Sequence, residues 1–529
     1  MGELKLLNAS LEDNYTNKMI LHIIILSSSS LALIFLLLIR KQSSENPKPP
    51  LPPSPKRLPI IGHLHHLIIS KSPPHRSLHR LSDQYGGGGG LMFLQLGSVP
   101  ALVVSSADAV REIFRDHDVV FSGRPAPYAA RKMTYNYADV TFSTYGEYWR
   151  EVRKVLVVQL LSAKRVQGFV AVREAEVGRM IDRIAFSCSE SAAAAVDLSE
   201  SAIWLSNNVI CRVALGKKRD GGGEMKFHGA LLETQQLLGE PNLADFFPGL
   251  SWVNKVNGFD ARVEKNFKEL DGFLNEVLEE HCDNWMNDED DADIVQSLLR
   301  IQKDQNFQTS ISFTTKNIKA VLVDVFIAGS DTSASTIVWT MTELIKNPNT
   351  MRKAQSEVRN LMKGNQKVSE SDLPNLKYLK MVVKESLRLH PPAPLLVPRE
   401  TTEKCTLGGY DIPAKTRVFI NAMSIGTDPM AWENPMEFWP ERFFESDVDY
   451  RGMHSEFIPF GAGRRGCPGT NFSVPLVELT LANLLYRFDW KLPEGMAVEE
   501  IDMEETFGIT VHKKAPLSLL ALIISTPTS

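Results

Sequence analysis

The segment FGAGRRGCPG, residues 460–469, places a single cysteine among four glycines, two arginines and a proline. Glycines let a loop approach a large flat group closely, because they carry no side chain. Arginine binds carboxylates through charge-assisted hydrogen bonds, and a cysteine thiolate is a metal ligand. These properties together fit a haem whose iron takes the sulfur of Cys467 and whose propionate pairs with Arg465. Taken alone, such a loop would more often hold a purely structural cysteine in a glycine-rich turn.

The bulk composition excludes several other kinds of protein. The 529 residues include 58 Lys and Arg against 63 Asp and Glu, a net charge of −5, so no basic field indicates nucleic-acid binding. The five cysteines are Cys188, Cys211, Cys282, Cys405 and Cys467. They are widely spread, odd in number and form no Cys-x-x-Cys pair, which favours reduced thiols in the cytosol over a disulfide framework.

Residues 19–39, MILHIIILSSSSLALIFLLLI, contain no Asp, Glu, Lys or Arg. As a helix rising about 1.5 Å per residue, the segment would span roughly 30 Å, the thickness of a bilayer core. Since no small-residue cleavage site is obvious, the segment predicts an uncleaved transmembrane anchor. A removed signal peptide is the alternative.

Charges beside this segment predict its orientation. Lys and Arg dominate residues 40–59, whereas residues 1–18 carry two lysines against three acidic residues. Because positive flanks stay on the cytosolic side, we expect a lumenal tail at 1–18 and a cytosolic domain at 60–529. The proline-rich stretch 40–59 predicts a stiff, extended hinge between membrane and domain, with a disordered spacer as the alternative.

From residue 60 onward the pattern predicts one large, mainly α domain with a small β region. Helical periodicity covers 150–184, 260–284, 313–346, 350–363 and 374–389, and strand-like runs cover 91–104 and 404–421. No internal repeat or Pro/Gly-rich linker divides this region. The five consecutive glycines at 86–90 predict a flexible surface turn before the first strand.

The helix predicted at 313–346 holds a second group of residues that could do chemistry. Ala328 and Gly329 are small enough to let the helix pass close over a flat cofactor. Asp331 and Thr332 follow them and interrupt an apolar run, where burial makes polar groups costly. A helix kink, with Thr332 bonded back to a carbonyl, is compatible with a chemical role for this pair.

Several motifs, in the right order, resemble those of the cytochrome P-450 family. The family's haem-binding signature is matched by Phe460, Gly463, Arg465, Cys467 and Gly469. Its other signatures are matched by WREVRK at 149–154, AGSDTS at 328–333, KESLRLHPP at 384–392 and FWPERF at 438–443. The similarity runs from about residue 30 to 520 and is greatest to the plant microsomal branch of specialised metabolism. It implies the cytochrome P-450 fold, preceded by a transmembrane helix.

The resemblance also implies which residues hold the cofactor. Cys467 would be the axial thiolate ligand of a haem b. The other haem contacts would come from Trp149, Arg153, Ala328, Gly329, Arg399, Phe460, Gly463, Arg465 and Gly469. Of these, Trp149, Arg153, Arg399 and Arg465 are expected at the propionates.

Two further groups receive roles from the same resemblance. Asp331 and Thr332 would be the catalytic pair that relays protons to bound dioxygen. Glu385 and Arg388, three residues apart on one helix face, would join Arg442 in a buried ion-pair network. We expect that network to support the haem site rather than to act in acid–base catalysis. The pocket would be lined by apolar parts of 120–145, 225–250, 321–336, 394–397 and 507–510.

The function implied is that of a haem-thiolate monooxygenase that crosses the endoplasmic reticulum membrane once, with its catalytic domain facing the cytosol. It would insert one oxygen atom from O2 into a small lipophilic substrate such as a terpenoid, phenylpropanoid or alkaloid. Electrons would come from NADPH through a separate NADPH–cytochrome P-450 reductase, with cytochrome b5 as an additional donor. Two alternatives are a haem-thiolate isomerase or dehydratase that does not use O2, and a non-catalytic haem-binding membrane protein.

Overall fold

The computed structural model describes residues 50–524 apart from residues 71 and 507 and the segments 191–194, 217–221, 284–292, 305–310 and 363–366. The predicted lumenal tail, membrane anchor and first half of the hinge lie outside the described residues. Chain contacts group the residues from Leu51 onward into one structural unit.

Helices form most of this unit. The α-helices of the described residues are α1 Leu64–Ile69, α2 Pro74–Tyr85, α3 Ala107–Asp116, α4 Tyr128–Met133, α5 Glu147–Lys154, α6 Ala163–Gly168, α7 Val170–Glu190, α8 Leu198–Leu215, α9 Gly222–Gly239, α10 Val253–Val256, α11 Phe259–Asp283, α12 Ile294–Lys303, α13 Thr315–Lys346, α14 Pro348–Met362, α15 Lys377–Leu389, α16 Ala422–Gly426 and α17 Thr470–Arg487.

The strands are short and form small sheets. They are β1 Leu91–Leu96, β2 Val99–Val104, β3 Val196–Asp197, β4 Arg399–Glu400, β5 Cys405–Leu407, β6 Tyr410–Ile412, β7 Arg417–Ile420, β8 Phe488–Lys491, β9 Glu505–Thr506, β10 His512–Lys513 and β11 Ser518–Ile523. The largest sheet has the order β1-β2-β7-β4, and β2 runs parallel to β7 with Ala101 opposite Arg417. The mainly helical domain with a small β region is therefore confirmed.

Helix α13 lies at the centre of the core. It begins where Thr314 and Asn317 form a capping box, and it ends at Asn347, before the proline that opens α14. By length and hydropathy α13 could cross a membrane, but 67% of its most apolar window is buried inside the domain. It packs against α8, α15 and α17, and is therefore a core helix.

The helix predicted at 150–184 is interrupted in the structure. Helix α5 ends at Lys154, a π-helical turn covers Val155–Leu160, and α6 starts only after Ser162. The backbone of Ser162 is extended, at φ −63° and ψ 156°, so it breaks the helical hydrogen-bond ladder. Apolar periodicity continues through this break, which is why the sequence did not indicate it.

The five-glycine run forms the turn before β1 that we predicted, and specific contacts hold two of its glycines, whereas its flexibility stays a prediction. The Gly86 N–H donates to the Ser82 carbonyl at 2.7 Å and thereby caps α2. Gly90 has a left-handed φ of 65°, and a Cβ there would lie 2.4 Å from Cβ of Ser106. The Ser105 N–H also donates to the Gly90 carbonyl at 2.8 Å. A glycine is thus required at position 90, because a side chain there would clash with Ser106.

The described part of the predicted hinge is packed onto the domain. The Phe93 N–H of β1 donates to the Pro53 carbonyl at 2.9 Å. Pro52 and Pro55 are buried. The backbone is extended here, as proline favours. Residues 51–57 nevertheless pack on the domain and do not form a free connector.

Candidate active site

The cysteine loop is held by its own backbone. The Cys467 N–H donates to the Phe460 carbonyl at 2.9 Å. Gly461 and Gly463 take left-handed φ values of 66° and 64°, which favour glycine. The Cys467 residue has exposed surface, yet the surrounding protein desolvates its thiol. The sulfur is therefore recessed in a concavity of the protein.

The ionisation of this thiol depends on what it binds. Burial raises the pKa of Cys467, and the Gly469 N–H, 3.4 Å from Sγ, opposes that rise. In the protein alone burial outweighs the N–H groups, so a metal ion must supply the remaining stabilisation of the thiolate.

Gly463 is required by a contact within the protein. A Cβ on this residue would lie 2.4 Å from Oδ1 of Asp118. The neighbouring Arg464 donates to Asp118 from its backbone N–H at 3.1 Å and from its side chain at 2.8 Å. A contact of the Gly463 backbone with the cofactor stays a prediction. Gly463 lets the cysteine loop approach Asp118.

Arg465 joins the cysteine loop to the segment before α5. Its guanidinium donates to the carbonyls of Ser122, Val140 and Ser143 at 2.9, 3.1 and 2.7 Å. Burial and the nearby positive charge of Arg399 lower the pKa of Arg465 to about 9. The group is therefore a buried cation with carbonyl partners but without a direct anionic one in this structure.

Arg399, at the start of β4, has similar surroundings. It is 3% exposed, donates to the Ala462 carbonyl at 2.8 Å and lies 3.7 Å from Oδ1 of Asp118. Burial lowers the pKa of Arg399 to about 10, and Asp118 partly offsets this effect. Asp118 is shared with Arg464, so its single charge is divided between two cations.

Arg153 and Trp149 lie on the same face of α5, as their spacing predicts. The Arg153 guanidinium donates to the Gly466 carbonyl at 2.5 Å, next to Cys467. Burial lowers the pKa of Arg153, and the Cys467 charge opposes this change. The Trp149 indole N–H donates to the Val140 carbonyl at 3.0 Å, and the guanidinium of Arg465 lies 4.1 Å from the ring centroid.

Arg124 is a fourth arginine of this cluster that the sequence analysis missed. It is 6% exposed and donates to the carbonyls of Thr141, Val397 and Pro398. Burial, followed by repulsion from Arg465 and Arg399, lowers the pKa of Arg124 well below its ordinary value. The sequence signal was weak, because a single arginine between Gly123 and Pro125 has no matching partner nearby in the chain.

The four arginines provide a test of whether the site fits a haem. Arg124, Arg153, Arg399 and Arg465 act on one another electrostatically, and Asp118 and Asp139 are the carboxylates that act on them. Buried cations require anionic partners, and a ligand with two carboxylates would provide them. A haem has two propionates, and the recessed thiol of Cys467 is next to the same cluster. The residues present therefore fit the cofactor.

On α13 the two predicted catalytic residues face different neighbours. Asp331 is buried and its Oδ2 lies 2.8 Å from Nε2 of His512 on β10. The hydroxyl of Thr332 donates to the Ala328 carbonyl at 2.8 Å, as the local alternative in the sequence analysis allowed. Thr332 also lines an apolar concavity together with Phe460, Val474 and Val477.

The two small residues of α13 also have different surroundings. Ala328 is exposed, consistent with a place beside a cofactor. A Cβ on Gly329 would lie only 2.3 Å from Cδ1 of Ile210 on α8. The absence of a side chain at Gly329 therefore accommodates the neighbouring helix, and its place beside the cofactor stays a prediction.

The predicted ion-pair network of Glu385, Arg388 and Arg442 is present in the core. Glu385, 0% exposed, accepts two hydrogen bonds from Arg388 at 2.7 and 2.8 Å and one from Arg442 at 2.9 Å. Arg388 also donates to the carbonyls of Gly426, Pro435 and Glu437. Removing one member of such a pair typically costs about 3–5 kcal/mol, because a buried charge is left unpaired.

Comparison with known proteins identifies the class that this fold and site define. The sequence profile of the cytochrome P-450 family matches residues 52–519, so the chain belongs to that family. It is 58% identical to strychnine-11-hydroxylase of Strychnos nux-vomica over 475 residues, covering 89% of this chain and 91% of that protein. It is 54% identical to cytochrome P-450 71A9 of Glycine max over 476 residues, covering 89% and 93%.

A solved structure of a zebrafish cytochrome P-450 with progesterone matches with a TM-score of 0.72 and 25% sequence identity. The match covers 85% of this chain and all of that one. The protein is thus a cytochrome P-450 monooxygenase of the plant type. Its cofactor is a haem bound by a cysteine thiolate, and its electrons come from a reductase that uses NADPH.

Proposed function

We propose that this chain is a microsomal monooxygenase that hydroxylates a small lipophilic plant metabolite, with Cys467 as its haem ligand. The observation that supports this assignment most is the recessed thiol of Cys467 beside four buried arginines that lack enough anionic partners. When bound, the haem supplies the oxygen-activating chemistry, and a thiolate ligand favours O–O cleavage.

The residues of the chain would bind, orient and supply protons. Arg124, Arg153, Arg399 and Arg465 would hold the propionates through charge-assisted hydrogen bonds. Thr332, at the apolar concavity, and its neighbour Asp331 would hold and transfer protons on the α13 side.

For the substrate, we place alkaloids ahead of terpenoids and phenylpropanoids. The relative with 58% identity is named for the hydroxylation of strychnine. The predicted pocket segment 394–397, PLLV, is apolar, which favours a lipophilic molecule. Hydroxylation of a carbon–hydrogen bond is therefore the reaction to test first.

The electron donors and location extend the same proposal. The formal Gly-x-Gly-x-x-Gly pattern at Gly461, Gly463 and Gly466 lies inside the cysteine loop, and residues Gly463–Arg465 form a 3-10 turn there. Since a dinucleotide fingerprint must open a βαβ unit, this pattern is not one. NADPH would therefore act through a separate reductase, with cytochrome b5 as a further donor. The segment 19–39 would anchor the chain in the endoplasmic reticulum membrane.

The test uses microsomes that contain the full chain and a plant reductase. Reduced protein with carbon monoxide should show the red-shifted Soret band of a thiolate-bound haem, which Cys467→Ser should lose and the control Cys188→Ser should keep. The same band in Cys467→Ser would refute the ligand assignment. NADPH-dependent O2 consumption and product formation from a panel of alkaloids would support the monooxygenase. Turnover of a peroxide without reductase would indicate the isomerase or dehydratase instead.

A further inference from the structure

The side chain of His512 connects the buried Asp331 with solvent. Its Nε2 lies 2.8 Å from Oδ2 of Asp331, and the His512 side chain is 29% exposed whereas that of Asp331 is 9% exposed. One end of the pair thus lies inside the protein on α13 and the other reaches water. Histidine is the side chain that most readily gains and loses a proton between pH 5 and 8.

The pair is built into the packing of β10 on α13. The Ser335 hydroxyl, one helical turn after Asp331, donates to the carbonyl of Val511 at 2.8 Å. The Val511 N–H donates to the Pro392 carbonyl at 2.8 Å. Two hydrogen bonds therefore fix the backbone next to His512, so the imidazole is held at the carboxylate.

Other titratable groups near the pair are engaged elsewhere or buried. His228 on α9 also faces Asp331, but its burial lowers the pKa of His228, and Asn207 holds its ring at 2.7 Å. Lys513, which follows His512, donates to the Ala515 carbonyl. Glu505 of the partner strand β9 is bound by His75 and Arg76. Among the described residues, His512 is thus the half-buried titratable group that contacts Asp331 and also reaches solvent.

We propose that His512 is the positioning and proton-supplying partner of Asp331, so that protons enter from solvent through His512 to Asp331 and then toward Thr332. In each transfer the imidazolium gives its Nε2 proton to the Asp331 carboxylate and becomes neutral. Water then returns a proton to the ring, and protonated Asp331 can release its own toward the Thr332 side. This inference rests on the proposed monooxygenase, whose reaction consumes protons as one oxygen atom becomes water.

The main variant is His512→Gln, which retains a hydrogen-bond donor but carries no exchangeable charge. Lys514→Gln is the matched control, because Lys514 is an exposed cation two residues further on that pairs with Glu504. Product formation and product per NADPH are measured from pH 6 to pH 8 in both variants and in the wild type. We expect turnover of His512→Gln to fall about tenfold and its pH dependence to flatten, since a proton donor typically contributes at least that factor. The control should follow the wild type.

A second readout does not use activity. Thermal unfolding of His512→Gln, Asp331→Asn and the double variant tests whether the two side chains interact in solution. The double variant should lose less stability than the sum of the single losses. Additive losses, or a His512→Gln enzyme with the wild-type pH profile, would overturn the proposal. Absence of any NADPH-dependent product in the wild type would refute the proposed function instead, and the unfolding cycle would still show whether the pair exists.

Discussion

The carboxyl groups of Asp139, in the loop before α5, and Asp324, on α13, are buried close enough together that each affects the ionisation of the other. Asp139 is fully buried, and Oδ2 of Asp324 also accepts from the Val140 N–H at 2.6 Å. Burial raises the pKa of both groups, and in Asp139 the charge of Asp324 raises it further. Because two buried carboxyls that interact in this way titrate as a pair, we expect them to share one proton, which would join the loop to α13.

This shared proton should make stability depend on pH. A carboxyl whose pKa is raised in the folded chain keeps its proton to higher pH than in the unfolded chain. The protein therefore loses stability as pH rises from about 4 through the raised values. Asp324→Asn removes this loss, because the amide stays neutral, can donate to Asp139 and can still accept from Val140.

We accordingly expect Asp324→Asn to gain stability relative to wild type between pH 5 and pH 8, by on the order of 1–2 kcal/mol. Calorimetric unfolding across this range measures the difference. Asp182→Asn, at an exposed position on α7, is the control and should run parallel to wild type. An Asp324→Asn protein that is less stable at every pH would show that the two carboxyls do not share a proton.

Arg124 should contribute to haem retention. Arg124→Gln removes one buried cation from the cluster, so we expect haem transfer to apomyoglobin to become about tenfold faster, as befits a hydrogen bond to a charged group. Arg124→Lys keeps the charge and should give an intermediate rate. The control is Arg464→Gln, in the same region but 47% exposed. Equal rates for Arg124→Gln and wild type would remove Arg124 from the propionate site.

The glycine run offers a test at two adjacent positions. Gly90→Ala places a Cβ against Ser106 at a left-handed φ, so we expect a loss of about 1–3 kcal/mol in the free energy of unfolding. Gly89→Ala is the control, because its φ is not left-handed and no atom lies within 4 Å of the new Cβ. Denaturant unfolding compares the two. Similar stability of both variants would mean that the turn is as flexible as the sequence suggested.

The sequence could identify those candidate site residues whose contacts depend on neighbours within one short motif. The recessed Cys467 and the pair Glu385 and Arg388 were found in this way, because spacing along one turn or loop determines their contacts. Arg124 and His512 could not be found, since each acts on a partner far away in the chain. Gly329 illustrates a third case. The sequence shows a small residue at this position, but only the structure shows that Ile210 of α8 is the neighbour that leaves no space for a side chain.

The same limit applies to the fold. The apolar run of α13 and the strand-like run at 91–104, which contains β1 and β2, follow from local pattern, and both appear near their predicted bounds. The break between α5 and α6 could not be predicted from local pattern, because the apolar periodicity continues through it. Tertiary packing selects the extended backbone at Ser162.

Arg465 has a consequence for how the newly made polypeptide matures. Its guanidinium joins the cysteine loop to three carbonyls between Ser122 and Ser143. The positive charges of Arg399 and Arg153 lie nearby. Before the prosthetic group arrives, repulsion among those charges works against this attachment. Porphyrin insertion would then tighten the 122–143 stretch, and a chain that fails to acquire it would present this stretch first to cellular proteases.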